Sequence, residues 1–359
     1  MRRERASDEP LRDEALSRRS FVRRGGRLVA GAAALGAGSA LIGRRLLAGA
    51  ASSRAEESGK EEPLPDKIPT AKLGRTGAEV SILGLGTALL GHQNDNNPEL
   101  PKLIEVFSEA IDRGITYVDT ARIYGRAEEA LREVLKTRRE KVFLATKAWA
   151  ETYEEAEKSF HESLKSLGVD SVDVLHLHSN GDKDTDKVLG ERGAWEFFEK
   201  AKKDGKARFL GITGHSRPQR FVRMLETDRV DVMMVVLNFV DRYVYGFEEK
   251  VLPVARKHKT GVMAMKVFGG VRGGFRNYPA KTPHPSQLER DHHRRSIAYA
   301  KTLEGVTGMV IGVHSLAQLH QNIRDVVAAE PLSEEAFRET CELGASIAES
   351  WTPRFGPVA

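Results

Sequence analysis

Cysteine is almost absent from this chain: Cys341 is the only one in 359 residues. A single thiol forms no internal disulfide and cannot supply an iron–sulfur cluster or a multi-cysteine zinc site. Cys341 lies in a C-terminal helical pattern and reads as a small packing residue. Long apolar runs are also missing. The softest stretch, Leu28 to Gly43, has 16 residues rich in Gly and Ala, short of the roughly 20 that span a bilayer. Basic excess is missing from most of the chain too. The net charge of +5 belongs to residues 1–50, which hold 11 Arg against 5 acidic residues; the remainder carries 45 basic and 46 acidic residues. With no basic face beyond the leader, nucleic acid is not an expected partner.

What is present begins with that leader. Ser17-Arg18-Arg19-Ser20-Phe21-Val22 precedes the soft apolar stretch, and Ala48-Gly49-Ala50 closes it. A positive start, an apolar middle and a small-x-small end describe a secretory signal. The paired arginines resemble the twin-arginine signal, which addresses proteins that fold before export. Residues 1–50 are therefore expected to be a signal peptide, the twin-arginine export machinery a partner, and the protein periplasmic or otherwise exported. No stable membrane span is expected once the signal is removed. Residues 51–66 are polar and read as a linker.

Residues 67–359 form the expected folded domain. Lys72 to Ser81 looks like a small hairpin turning through Gly74 to Gly77. Eight apolar runs follow: 82–87, 115–119, 142–147, 172–178, 209–213, 232–237, 262–266 and 309–313. Helical patterns separate them, near 101–113, 126–138, 153–167, 191–204, 216–226, 246–258, 289–303 and 315–328. Strands separated by helices pair in parallel through right-handed crossovers. Eight such units in this length predict a (β/α)8 TIM barrel with an N-terminal β-hairpin cap and a C-terminal helical tail. The competing doubly wound sheet calls for a glycine-rich turn after its first strand. Gly84-Leu85-Gly86-Thr87 lacks the third glycine, and the polar segment 93–97 follows instead of a helix.

Chemistry in such a barrel lies at the carboxyl ends of the strands. Asp119, Lys147 and His178 end three successive runs, and Tyr124 lies in the loop just beyond the first of them. One acid, one phenol, one amine and one imidazole thus meet at one rim. A Lys147 ammonium beside a buried Tyr124 is expected to lower the phenol's pKa. Asp119 holds the amine, and His178 donates to a substrate oxygen or relays a proton. The set suits protonation of a carbonyl oxygen while a hydride arrives at carbon, or the reverse. No side chain donates a hydride, so a cofactor is required.

The motifs Gly84-Leu85-Gly86-Thr87, Tyr117-Val118-Asp119 with Tyr124-Gly125, Thr146-Lys147 and Asp173 to His178 resemble the aldo/keto reductase superfamily. Lys206 to Thr213, Asn238 with Asp241-Arg242, and Ile311-Gly312 with Gln318 and Asn322 continue the likeness from about residue 70 to 330. The resemblance implies NADP- or NAD-linked interconversion of carbonyls and alcohols, with NADP preferred. It makes Tyr124 the general acid, Lys147 and Asp119 its tuners, and His178 the group that orients the carbonyl. Thr87, Thr213, Gly214, Asn238, Lys266, Gln318 and Asn322 become the expected cofactor-binding residues. The family's usual Ser-Asn pair is here Thr213-Gly214. Its strand-borne Gln falls on Val235, its stacking aromatic on Met265 beside Lys266, and its phosphate-facing basic residue on His314-Ser315. The proton machinery is thus complete while the cofactor grip is altered. Export adds a constraint, because free dinucleotide is scarce outside the cytoplasm. A tightly held, slowly exchanging cofactor is expected.

A non-redox barrel enzyme, whether lyase, isomerase or metal-assisted hydrolase, would reuse Lys147, His178 and Lys266. The His176-x-His178 pair, with His215 and Asp119, admits a metal reading, but no metal is expected. Lys266 admits a Schiff base, although anion binding is the plainer role. His215 either contacts substrate or cofactor or is a polar loop residue. Trp149 shapes the pocket or caps the barrel mouth. The glycine-rich stretch 269–278 covers a cofactor or is a surface loop. The run Asp291 to Arg295 reads as an exposed helical face.

Overall fold

The computed structural model describes residues 63–91, 99–270 and 288–359, apart from 289, 352 and 354. The expected signal peptide, most of the linker, the polar segment 93–97 and most of the glycine-rich stretch after Gly270 lie outside the described residues. Pro63–Ala359 forms one compact unit.

Two short strands, β1 (Thr70–Lys72) and β2 (Glu79–Ser81), pair antiparallel as the expected hairpin. Eight parallel strands then close a barrel: β3 (Leu83–Gly86), β4 (Tyr117–Asp119), β5 (Phe143–Ala148), β6 (Val172–Leu177), β7 (Ala207–Gly214), β8 (Val232–Val236), β9 (Gly261–Met265) and β10 (Val306–Gly312). Strand β10 returns to β3, so no edge is left exposed. Fully buried parallel strands show little polar alternation, which is why apolar runs sufficed to find them. Both the barrel and its hairpin cap match the sequence expectation.

Successive strand residues point to opposite faces, and two apolar clusters result. One fills the barrel: Tyr117, Phe143, Ala145, Val174, Val232, Met234, Met263, Met265 and Val310, plugged by Leu73 and Val80 of the hairpin. The larger one packs the outer strand faces against the helices, with Phe107, Phe160, Trp195, Phe198 and Phe221 fully buried. The hairpin turn is tied to the amino end of β8 through Arg75, which donates to Asp228 at 2.6 Å and Asp231 at 3.2 Å. The hairpin therefore seals the end of the barrel opposite the strands' carboxyl termini.

The helices carry local signals for their limits. Helix Tyr153–Leu167 starts with a capping box of Thr152 and Glu155 and ends at Gly168, whose φ of 66° is left-handed. The expected helix 246–258 is two pieces, Phe247–Lys250 and Leu252–Lys257. Pro253 lies in the first turn of the second piece, where its missing N–H costs nothing. The C-terminal helix Glu334–Trp351 reaches back to the barrel mouth, where Trp351 Nε1 donates to Asp241 Oδ1 at 3.1 Å. Beside it, buried Glu248 accepts from the Tyr299 hydroxyl at 3.0 Å, and Arg242 donates to that hydroxyl at 3.3 Å. The run Asp291 to Arg295 is only partly exposed: His293 stacks on Phe268 with centroids 4.0 Å apart.

Candidate active site

Strands β4 and β5 pair with Asp119 opposite Ala145, and β5 and β6 pair with Lys147 opposite His176. This register brings the strand ends together inside one rim. Lys147 Nζ donates to Asp119 Oδ2 at 2.7 Å and lies equally close to Oδ1, which itself takes no aligned hydrogen bond. The same ammonium donates to the Thr120 carbonyl at 2.8 Å, and its charge acts on the Tyr124 hydroxyl. It sits 4.5 Å from the Tyr124 ring centroid. His178 meets the Tyr124 ring edge-on, with centroids 5.8 Å apart. All four expected residues are therefore brought together, and all are buried.

The electrostatics differ from expectation at one point. Tyr124 is raised above its ordinary pKa, because burial outweighs the opposing pull of Lys147. The expected lowering is present only as that opposing pull; loss of water around the phenolate is the larger effect. The phenol accordingly holds its proton at neutral pH, as a general acid must. Burial also raises Asp119, against Lys147. Burial works against the charge on Lys147, but Asp119 and Tyr124 overcome it and the amine is raised. The geometry is that of an ion pair. His178 is pushed well below its ordinary pKa by burial first and the Lys147 charge second. Its imidazole is neutral and able to donate one N–H.

His176 is a separate matter. Its Nε2 lies 3.3 Å from the Tyr117 hydroxyl inside the barrel. Gly211 makes room for it: a Cβ there would stand 2.2 Å from His176 Nδ1. His176 is thus packed, and among the described residues no group of three or more His, Cys, Asp or Glu is arranged to hold a metal.

The residues expected to grip a cofactor divide into two kinds. Thr213 and Gly214 end β7 at the rim, and Lys266 follows β9 in a left-handed conformation, φ 56°. The Lys266 charge acts on Asp119. Gly214 has a physical reason for replacing a larger residue: a Cβ there would lie 2.9 Å from Phe221 Cζ and 3.2 Å from the Asn180 nitrogen. The others work within the protein. Thr87 donates through its hydroxyl and its N–H to the Asp119 carbonyl, at 2.9 and 3.1 Å. Asn238 is fully buried; its amide donates to Asp241 and to the Lys266 carbonyl and accepts from the N–H groups of Val240 and Asp241. It secures the strained Lys266 peptide and has no group left for a ligand. Ser315 caps helix Leu316–Ala328 by accepting from the Gln318 N–H, while Gln318 Oε1 accepts from the His314 N–H at 2.8 Å. Asn322 lies one turn further along that helix, half-buried. Val235, placed by sequence at a cofactor-facing position, belongs to the outer cluster against the helices; the alternation along β8 turns Met234 inward instead.

The sequence offers Trp149 and His215 as residues of the mouth, but not the partners they meet there. Trp149 is 46 % exposed and meets His178 edge-on at 5.5 Å. Lys183 Nζ stands 3.9 Å over that indole. Phe355, from the C-terminal tail, stacks on His215 with centroids 4.9 Å apart. The tail is held there by Tyr245, whose hydroxyl accepts from the Phe355 N–H at 2.8 Å and donates to the Gly356 carbonyl at 3.3 Å. Arg217 N–H donates to the Pro357 carbonyl at 3.1 Å. These contacts join segments far apart in the chain, which periodicity does not reach.

A parallel eight-stranded barrel with an amine-held phenol and a neutral imidazole at its carboxyl-end rim defines an enzyme of acid–base chemistry. The chain belongs to the aldo/keto reductase family, whose model matches residues 82–344, and is an oxidoreductase of that type. It is 30 % identical over 304 residues to the uncharacterized oxidoreductase YrpG of Bacillus subtilis, covering 71 % of this chain and 90 % of that one. It is 26 % identical over 297 residues to L-galactose dehydrogenase of Arabidopsis thaliana, covering 74 % and 90 %. Among solved structures it resembles an aldo-keto reductase from Klebsiella pneumoniae in complex with NADPH. That likeness has TM-score 0.60 and 22 % identity, covering 82 % of this chain and 99 % of that one.

Proposed function

We propose that this protein is an exported enzyme that interconverts a carbonyl compound and an alcohol, with NADP or NAD as the hydride partner and Tyr124 as general acid. One observation carries the reading: the Lys147 ammonium pairs with the Asp119 carboxylate at 2.7 Å and sits 4.5 Å from the Tyr124 ring centroid. A nicotinamide cofactor, when bound, supplies or takes the hydride. The chain's own residues handle the proton. The His178 N–H directs the carbonyl oxygen, and Tyr124 gives its proton to that oxygen as negative charge builds there. The phenolate that results lies against the Lys147 ammonium, whose own charge is balanced by Asp119. In the oxidative direction the phenolate recovers the proton from the alcohol.

The chemistry of the rim fits a dinucleotide. Thr213 and the backbone of Gly214 suit the nicotinamide amide. The Lys266 ammonium and the N-terminal end of helix Leu316–Ala328 suit phosphate. Met265, with its soft side chain facing the barrel interior, suits a ring face. A non-redox reaction through a metal or a Schiff base finds no such support. Asp119 is consumed by Lys147, and His176 by packing.

Export rests on the leader: Arg18-Arg19, the soft apolar stretch and Ala48-Gly49-Ala50. A protein that folds before export carries a bound cofactor with it. The test is native mass spectrometry of protein recovered from the cell envelope, read alongside oxidation of reduced nicotinamide with an aldehyde panel. The reading requires a nucleotide-sized mass on the protein and turnover that Tyr124→Phe removes. Protein that binds no nucleotide overturns it. Arg18→Lys together with Arg19→Lys is expected to retain the protein in the cytoplasm.

A further inference from the structure

We propose that Lys183 and Trp149 form an anion-binding subsite at the barrel mouth, and that the substrate carries a carboxylate beside its reacting carbonyl. This rests on the carbonyl reading above and specifies its substrate class.

The main chain around the lysine is fixed in place. Lys183 is only 5 % exposed. Its N–H donates to the Asn180 carbonyl at 3.2 Å, and Arg220 donates to its carbonyl. Arg217 and Arg220 also hold the Gly181 carbonyl, at 3.0 and 3.2 Å. On the other side the Asp184 N–H is bound by Glu151 at 2.8 Å. From this anchored main chain the mostly buried side chain places its ammonium 3.9 Å from the Trp149 ring centroid. That ring is one of few large apolar side chains exposed among the described residues, and it meets His178 at a steep angle, with centroids 5.5 Å apart. The ammonium and the carbonyl-directing imidazole thus flank the same indole.

Among the described residues no carboxylate comes within 4 Å of Lys183, whereas Lys147 at the same mouth is fully paired. The acids that act on Lys183 from farther off are already engaged. Glu151 binds the Asp184 N–H, and Glu155 accepts from the N–H groups of Glu151 and Thr152. Asp182 accepts from the Ser216 hydroxyl at 3.3 Å and lies 3.6 Å from Arg217. A pre-placed cation with no carboxylate partner among the described residues, set on an exposed aromatic platform, is the arrangement that captures an anionic group with little further ordering. A single ammonium matches the one negative charge of a carboxylate more closely than the double charge of a phosphate ester.

The test compares 4-carboxybenzaldehyde with its methyl ester, using reduced nicotinamide cofactor and the whole protein. The wild type is expected to favour the acid by at least about tenfold in kcat/KM, through KM, as a charged hydrogen bond supplies. Lys183→Met should collapse that ratio to near unity, and Lys183→Arg should restore much of it. A binding measurement accompanies this: 4-methylbenzoate should quench tryptophan fluorescence in the wild type and not in Lys183→Met. Trp149 is the exposed tryptophan, while Trp195 and Trp351 are buried. Turnover of both aldehydes with a ratio that Lys183→Met leaves unaltered overturns the subsite and leaves the carbonyl reading standing. Lys183-dependent quenching without turnover of either aldehyde supports the anion site and overturns the carbonyl reading. A stronger preference for 4-formylphenyl phosphate overturns the carboxylate assignment.

Discussion

The Lys147 ammonium lies 2.7 Å from each carboxylate oxygen of Asp119, and both side chains are almost wholly buried. Removing one partner would strand the other charge in the barrel. Lys147→Met is expected to lose about 3–5 kcal/mol of stability. Asp119→Asn combined with Lys147→Met should recover most of that loss, because no lone charge remains. Activity should stay absent in both, since Tyr124 loses its cationic neighbour. Urea unfolding paired with an aldehyde reduction assay separates these outcomes.

Tyr124→Phe keeps the ring against Lys147 and His178 and deletes the acidic proton. A drop in kcat of roughly 10²–10⁴-fold is expected, the usual weight of a general acid. Its unfolding midpoint should stay close to that of the wild type, and its affinity for the dinucleotide should persist. Isothermal titration with the cofactor checks the last point.

Glu248 gives the protein an alkaline weakness. Burial pushes its carboxyl up to about 8, although Tyr299 and Arg242 oppose the shift. A folded-state acid raised above its unfolded value binds its proton more tightly when folded. Its contribution is therefore full below about 4.5 and is lost as pH rises toward 8. Glu248→Gln retains an acceptor for the Tyr299 hydroxyl and removes that titration. The variant should show a flatter decline in stability between pH 5 and 8, by up to about 1.4 kcal/mol per pH unit. Thermal unfolding across that range provides the comparison.

Phe355 closes one side of the mouth by stacking on His215. A Cβ on Gly270 would meet its ring at 2.8 Å, which places the tail beside the peptide that follows Lys266. Phe355→Ala should loosen this cover and speed cofactor release by about tenfold or more, with product release accelerated in step. Stopped-flow displacement of bound cofactor measures the rate. An unchanged rate would mean that the tail lies clear of the exit path.

Much of the fold was legible because buried parallel strands need no polar alternation. Three successive apolar runs ended in residues whose chemistry stood out: Asp119, Lys147 and His178. The hairpin was legible from its glycines, and helix Tyr153–Leu167 from Thr152, Glu155 and Gly168. Side-chain facing was less secure. Val235 and Met234 differ by one residue, and a single step along a strand exchanges the barrel interior for its outer face. Asn238 looked like a ligand-binding amide, but its four hydrogen-bonding contacts are all internal. The net shift of Tyr124 was illegible for a different reason: a neighbouring cation is visible in a motif, while the loss of water that outweighs it depends on the whole surrounding shell.

By itself the sequence determined the barrel, the order of its strands and the four residues that meet at its rim. Those follow from local periodicity and from the rule that parallel strands present their carboxyl ends together. Only the tertiary structure decided what surrounds them. It set Lys183 over Trp149, brought Phe355 back onto His215 and turned Asn238 inward upon Lys266. These pairings depend on loop paths and on burial, which have no period along the chain.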